Sequence, residues 1–284
     1  MEVAVPPTSR RLLPRALPVL LPALACAACA PVTGQVKFDS PASCSENAPA
    51  SPEDLPAGPS QADLQCALAG IRQVVIPTPT QDLLAARLAG ELAAGEPDVK
   101  RMEKLAAEGQ WWAERAMFHL QEDPAALYWY AMNMGQLLLH HPLRALKNLG
   151  RMERSLKKAA AGVPDLDGGG PLRVLGVLYV KAPAWPQGIG DADKGLDLLK
   201  QAVERHPEHP MNAYFLARAL WDVDGDSVRD EVAANLAAAR KALAAREWGW
   251  VSRRWQRDID ALAKEAGVPD EAGVPQPPDA VPAG

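Results

Sequence analysis

Residues 172–207, LRVLGVLYVKAPAWPQGIGDADKGLDLLKQAVERHP, read as two amphipathic helices of one repeat unit with an over-long connection between them. Leu172, Leu175, Gly176 and Tyr179 recur at helical spacing in the first half. Gly195, Leu199 and Ala202 do so in the second, and Pro207 closes the unit. Small residues at Gly176 and Ala202 let two helices approach closely, while Leu175, Tyr179 and Leu199 fill the seam around them. The connection Ala182-Pro-Ala-Trp185-Pro-Gln-Gly188-Ile-Gly190-Asp191 is where the excess falls, about seven residues more than such a unit needs.

The first half resembles the W-x2-L-G-x2-Y half of a tetratricopeptide (TPR) unit, with Leu172 in the Trp place. One helix pair cannot bury its outer face, so the reading requires neighbours. Downstream, Ala213, Leu216, Ala217 and Leu220 repeat the first-helix spacing, and Asn235, Ala239 and Ala242 repeat the second. Upstream, Met134-Gly135 and Leu138, followed by Ala145, Leu149 and Met152, form a poorer copy. The expected fold class is all-α: a helical-repeat (TPR-like) solenoid with irregular inter-helix loops, occupying residues 61–266.

Within that span only Val74-Val75-Ile76 before Pro77 departs from helical period. Further helices are expected over 61–73, 80–94, 98–122, 125–139 and 143–160. Asp191 and Asp226 are candidate N-caps, and Pro124, Pro142, Pro171 and Pro210 fit a first helical turn.

The two ends read differently. Arg10, Arg11 and Arg15 precede the apolar run 16–25, and small residues surround Cys26 and Cys29, which is the layout of an export signal over residues 1–28. The run is too short to span a bilayer. Leu24-Ala-Cys-Ala-Ala-Cys29 resembles a lipobox, with Cys29 the favoured lipidation site; Cys26, or an unlipidated cut near Ala27 or Ala28, are the alternatives. Ser9-Arg10-Arg11-Leu12-Leu13 also resembles a twin-arginine signal. With Cys29 lipidated, Cys44 and Cys66 remain as a pair in an oxidising space and form a candidate disulfide, the alternative being two unrelated small apolar residues. Residues 29–60, rich in Pro, Ser, Ala and Gly, read as a disordered tether, and 267–284 as a disordered tail.

The chain carries 30 basic and 35 acidic residues, a formal net charge of −5. Loss of Glu2, Arg10, Arg11 and Arg15 with the signal would leave 27 and 34, a net of −7. No basic face with interleaved aromatics appears, which argues against nucleic acid.

Chemistry-bearing patterns are absent from the sequence. His140-His141 and His206-Pro-Glu-His209 sit at helix ends, where a partly charged imidazole suits the C-terminal dipole; His206, Glu208 and His209 lack a fourth ligand for a metal nearby. Asp222-Val-Asp224-Gly225-Asp226 fails the calcium-loop pattern at Ser227 and Ala233. Asp165-Leu-Asp167-Gly168-Gly169-Gly170 reads as a flexible connection without the strand-then-helix context of a phosphate loop. No G-x-S-x-G is present, so the chain is read as a non-enzyme with no cofactor and no metal.

Residues 170–194, with Gly176, Tyr179, Pro183, Gly190 and Asp191, resemble the TRAP transporter T-component (TatT) family, as does the aromatic helix Tyr128-Trp-Tyr-Ala-Met-Asn-Met-Gly135. The resemblance covers about half the chain, most clearly residues 125–207. This chain has Ile189 where the family often shows a second Gly. The resemblance implies a periplasmic lipoprotein, held to the membrane by its N-terminal lipid with the outer membrane favoured, that associates with a TRAP solute-binding protein and holds an apolar ligand. On that reading Trp129, Tyr130, Tyr179 and Trp185 lie near the ligand or partner surface. The alternative is a general TPR protein–protein scaffold of an envelope complex. Packing of such arrays on their own copies leaves a homo-oligomer open.

Overall fold

A computed structural model describes Cys44, Pro49 and residues 51–269, all of which fall within one compact unit. The expected export signal over residues 1–28, Cys29, most of the expected tether and nearly all of the expected C-terminal tail lie outside the described residues. Every regular element described is helical: α1 (Gln61–Gln73), α2 (Pro79–Gly95), α3 (Val99–His119), α4 (Pro124–Leu138), α5 (Pro142–Gly162), α6 (Gly170–Lys181), α7 (Ala192–Arg205), α8 (Pro210–Asp224), α9 (Arg229–Ala244) and α10 (Ser252–Glu265), with short 3-10 turns at Pro52–Asp54, Gly225–Val228 and Gly249–Val251.

Local chemistry sets the helix starts. Ser60 with Asp63, and Thr78 with Gln81, form reciprocal capping boxes that satisfy orphan amides at α1 and α2. Asp98, Asp123 and Asp191 accept amide hydrogens at the starts of α3, α4 and α7. Proline occupies the first turn of α2, α4, α5, α6 and α8, where its missing N–H costs nothing. Asp226 is not a cap: the Gly225–Val228 turn intervenes, and α9 starts after Val228 with no side-chain cap. Val74-Val75-Ile76 forms no strand, and Val75 and Ile76 are exposed in the α1–α2 connection.

Cross-helix contacts fix how the helices run relative to one another. Asn133 Nδ2 on α4 donates to Ala86 O on α2 at 3.0 Å, and Gln136 Nε2 donates to Gly90 O at 3.1 Å. Both numbers rise together along the two chains, so α2 and α4 run parallel. Arg173 meets Asn212, and Lys181 meets Asp222, so α6 and α8 are parallel as well. Sequential neighbours run opposite: Gly162 abuts Pro124 while Arg151 reaches Tyr130, and Gly169 faces Ala202 while Gly195 faces Val180.

Close approach needs small residues at these seams. A Cβ added to Gly109 would lie 2.1 Å from Asn133 Oδ1, and one on Gly176 would lie 2.8 Å from Leu199 Cγ. Gly109 therefore makes room for the amide that ties α4 to α2, and Gly176 for the knob of α7.

Two apolar clusters result. One gathers Leu64, Leu84, Leu88, Trp112, Tyr128, Leu156 and their neighbours from α1 to α6; the other gathers Leu199, Leu216, Leu236, Ile259 and Leu262 from α7 to α10. The last helix returns to the second. Trp250 Nε1 reaches Leu92 O at 3.5 Å, Arg254 donates to Ala94 O, and Trp250 N donates to Pro59 O at 2.9 Å. Residues 51–60, read from sequence as the end of a tether, thus hold a 3-10 turn and a contact with the C-terminal helices. Cys44 and Cys66 are joined by a disulfide.

Candidate functional site

A groove of about 360 Å3 opens between α3, α4 and α5. Its apolar floor is Met117, Leu127 and Tyr130. Arg151, Arg154 and Lys158 recur at i, i+3 and i+7 on α5, so one helix face presents all three cations to the opening. Glu114 and Glu122 stand across from them. Arg151 Nη1 donates to the Tyr130 hydroxyl at 3.1 Å, and that bond raises the guanidinium pKa. Lys158 pairs with Glu122, while Arg154 has no ion pair among the described residues. The arrangement suits an amphipathic group with a negative end.

A second feature lies on the even-numbered helices. Arg87 and Glu91 of α2 pair at 2.7 Å. Burial raises the Glu91 carboxyl pKa against the pull of Arg87, yet the side chain keeps 23% of its surface accessible. Tyr214 of α8 is half-buried, its hydroxyl pushed up to about 12 by burial and then by Asp258. Asp258 is itself raised by burial and pairs with Arg254 at 3.6 Å.

A polar knot is built on the loop before α6. Asp167, Gly168 and Gly169 adopt positive φ of 52°, 54° and 83°. The Tyr128 hydroxyl donates to Asp167 Oδ2 at 2.5 Å, and Arg173 Nη2 donates to the same oxygen at 2.8 Å. Arg173 Nη1 donates to Asn212 Oδ1 at 2.7 Å, and Asn212 Nδ2 donates to the carbonyls of Gly168, Ala202 and His206. The loop that the sequence suggested to be a flexible connection is instead a hub holding α4, α6 and α8. The error has a physical source: three glycines read as freedom, whereas here two of them accept a left-handed backbone that a hydrogen-bonded turn requires.

His209 also departs from expectation. It is buried against Trp248 and Trp255, with ring centroids at 5.1 and 5.4 Å, and burial first, then Arg173, lowers its pKa to about 2. It is a neutral packing residue, not a charge set against a helix dipole. His206 instead turns its two ring nitrogens to Glu208 at 3.1 Å and Asp165 at 2.9 Å.

The four aromatics singled out from sequence are not brought together. Trp129 is buried beside Tyr128. Tyr130 is buried, with its hydroxyl at the groove. Tyr179 is buried in another seam, where its hydroxyl donates to Glu153 Oε1 at 2.8 Å and Lys194 Nζ lies 4.4 Å from its ring centroid. Trp185 is 85% exposed in its loop. Missed from sequence were Arg151, Arg154 and Lys158; their i, i+3, i+7 spacing was visible, but nothing marked the face as bordering a groove. No protein-family model matches the chain, and no curated protein matches it either.

Proposed function

We propose that this chain is a non-enzymatic, TPR-like solenoid that binds a partner at the periplasmic side of the cell envelope, held to the membrane through lipid on Cys29. The observation carrying this reading is the register: α2 runs parallel to α4, and α6 to α8, while intervening helices run opposite. Helix hairpins stacked in that way expose a face made of successive first helices, the binding surface of helical-repeat proteins. Arg87, Glu91, Tyr214 and Asp258 give that face the mixed polar and aromatic chemistry of a recognition surface.

The partner we assign is the solute-binding component of a TRAP uptake system, on the strength of the resemblance over residues 125–207. The groove beside Tyr130 is the place for an apolar ligand with a negative end. Affinity capture of the full chain from its native membranes, followed by mass spectrometry of proteins and small molecules, tests both. Recovery of a TRAP solute-binding protein that is lost on Glu91→Lys with Tyr214→Ala supports the assignment; capture of that protein undiminished by those substitutions, and of a small molecule undiminished by Arg154→Glu, removes both proposed surfaces. A second reading, a general envelope scaffold, is favoured by exposed Trp111 and Phe118 on α3, outside the first-helix face. Capture of envelope proteins without any TRAP component, lost on Trp111→Ala, supports it.

A further inference from the structure

The connection from α4 to α5 carries apolar side chains on the wrong side of a helix. Leu149, Met152, Leu156 and Ala159 form the buried stripe of α5. Leu143 and Leu146 lie on its outward side, and Leu143 is 75% exposed. Leu139, at the end of α4, is 61% exposed. A solvated helix end would carry polar residues at these positions. Between the leucines stand Arg144 and Lys147, both exposed and without an ion pair among the described residues.

The first turns of α3 belong to the same patch. His141 Nε2 meets Glu103 Oε1 at 2.9 Å, which ties the start of α5 to a point on α3 between Lys100 and Lys104. Val99, Lys100 and Lys104 are exposed, and neither lysine has an ion pair among the described residues. The acidic residues nearby are already engaged: Glu103 by His141, Glu96 by Arg101 at 3.5 Å, and Asp98 by the Arg101 amide. Four unpaired cations therefore surround protruding leucines on a chain whose formal net charge is −5.

From this juxtaposition we infer that the α3 start and the α4–α5 connection form a docking surface for an anionic lipid bilayer. Protruding leucines ringed by lysine and arginine match the two layers of a membrane interface, acyl chains beneath and phosphates above. Charge complementarity selects a negative surface, and the projecting shape selects lipid. Leu139 and Leu143 would need sockets in a rigid acidic protein, whereas acyl chains rearrange around them. The inference does not rest on the TRAP assignment or on lipidation of Cys29; it would set which end of the array faces the membrane.

Flotation of the purified full chain with vesicles decides it. Mixed phosphatidylcholine and phosphatidylglycerol vesicles should retain the protein, and pure phosphatidylcholine vesicles should not. Raising the salt from 0.1 M to 1 M, which shortens screening from about 10 Å to about 3 Å, should release it. Arg144→Gln with Lys147→Gln should weaken retention about 30-fold, the effect of two surface cations. Leu139→Ser with Leu143→Ser should weaken it too. All four positions are exposed, so unchanged circular dichroism should accompany the loss. The apolar run 16–25 is common to every variant, so retention undiminished by either pair of substitutions overturns the proposal, as does equal retention on the two vesicle types.

Discussion

Tyr128 and Asp167, on α4 and in the loop before α6, share a hydrogen bond of 2.5 Å, and Arg173 shares the same carboxylate oxygen at 2.8 Å. Tyr128 is fully buried, and its hydroxyl pKa is raised well above the ordinary value by burial and then by the Asp167 charge. The phenol thus stays a donor across the working pH range. Tyr128→Phe should lower unfolding stability by about 2 kcal/mol, the usual worth of a hydrogen bond to a charged acceptor. Urea denaturation should show a lower midpoint with unchanged helical content. An unaltered midpoint would mean that Arg173 alone holds the loop.

His209 makes stability depend on pH. Its folded pKa is near 2, set first by burial, against an ordinary value of 6.5. The unfolded chain therefore binds a proton that the folded chain refuses, and the stability contributed by the neutral ring is fully present above 6.5 and is lost as pH falls below it. Between pH 6.5 and 5 the loss should reach about 2 kcal/mol. His209→Phe should flatten that part of the stability profile, measured by urea titration at closely spaced pH values. A wild-type profile with no slope there would show that the ring is protonated in place.

Asp82 runs the other way. Both carboxylate oxygens are buried without a hydrogen-bond partner, and Arg115 Nη2 stands at 3.4 Å. Burial raises the folded pKa despite Arg115 and His119. A raised carboxyl stabilises the fold when protonated, so its contribution is present below the ordinary 3.8 and is lost as pH rises through the folded value. Asp82→Asn should therefore gain stability relative to wild type at neutral pH, and that gain should shrink in acid. A gain independent of pH would point to packing instead.

How much of this was legible beforehand varies by element. Most helix starts were, because proline and Asp191 act through neighbours one turn away; the start of α9 was not, since the Gly225–Val228 turn displaces it from Asp226. The seams were legible in part: Gly176 announced close packing, but Gly109 did so only once Asn133 was known to sit over it. The hub escaped, since Tyr128, Asp167, Arg173 and Asn212 span three helices and a loop with no shared spacing in sequence. The groove escaped for the same reason. Single-helix periodicity shows which face of α5 is charged; only the packing of α3 and α4 shows that this face borders a cleft.

The return of α10 to α2 gives a last prediction. Trp250 packs so tightly on Gly95 that an added Cβ would lie 2.0 Å from its indole Nε1. No small shift of a flexible side chain relieves that contact, because Trp250 N is also bonded to Pro59 O. Gly95→Ala should force the indole out and open the junction between the last helix and the second, costing about 1–3 kcal/mol as overpacking does. The helices on either side keep their own seams, so the expected signature is local. Amide exchange should quicken at Trp250 and in α10 while α4 and α6 keep their protection. Uniform loss of protection would instead make the junction part of the cooperative core, with α2 to α10 unfolding as one unit.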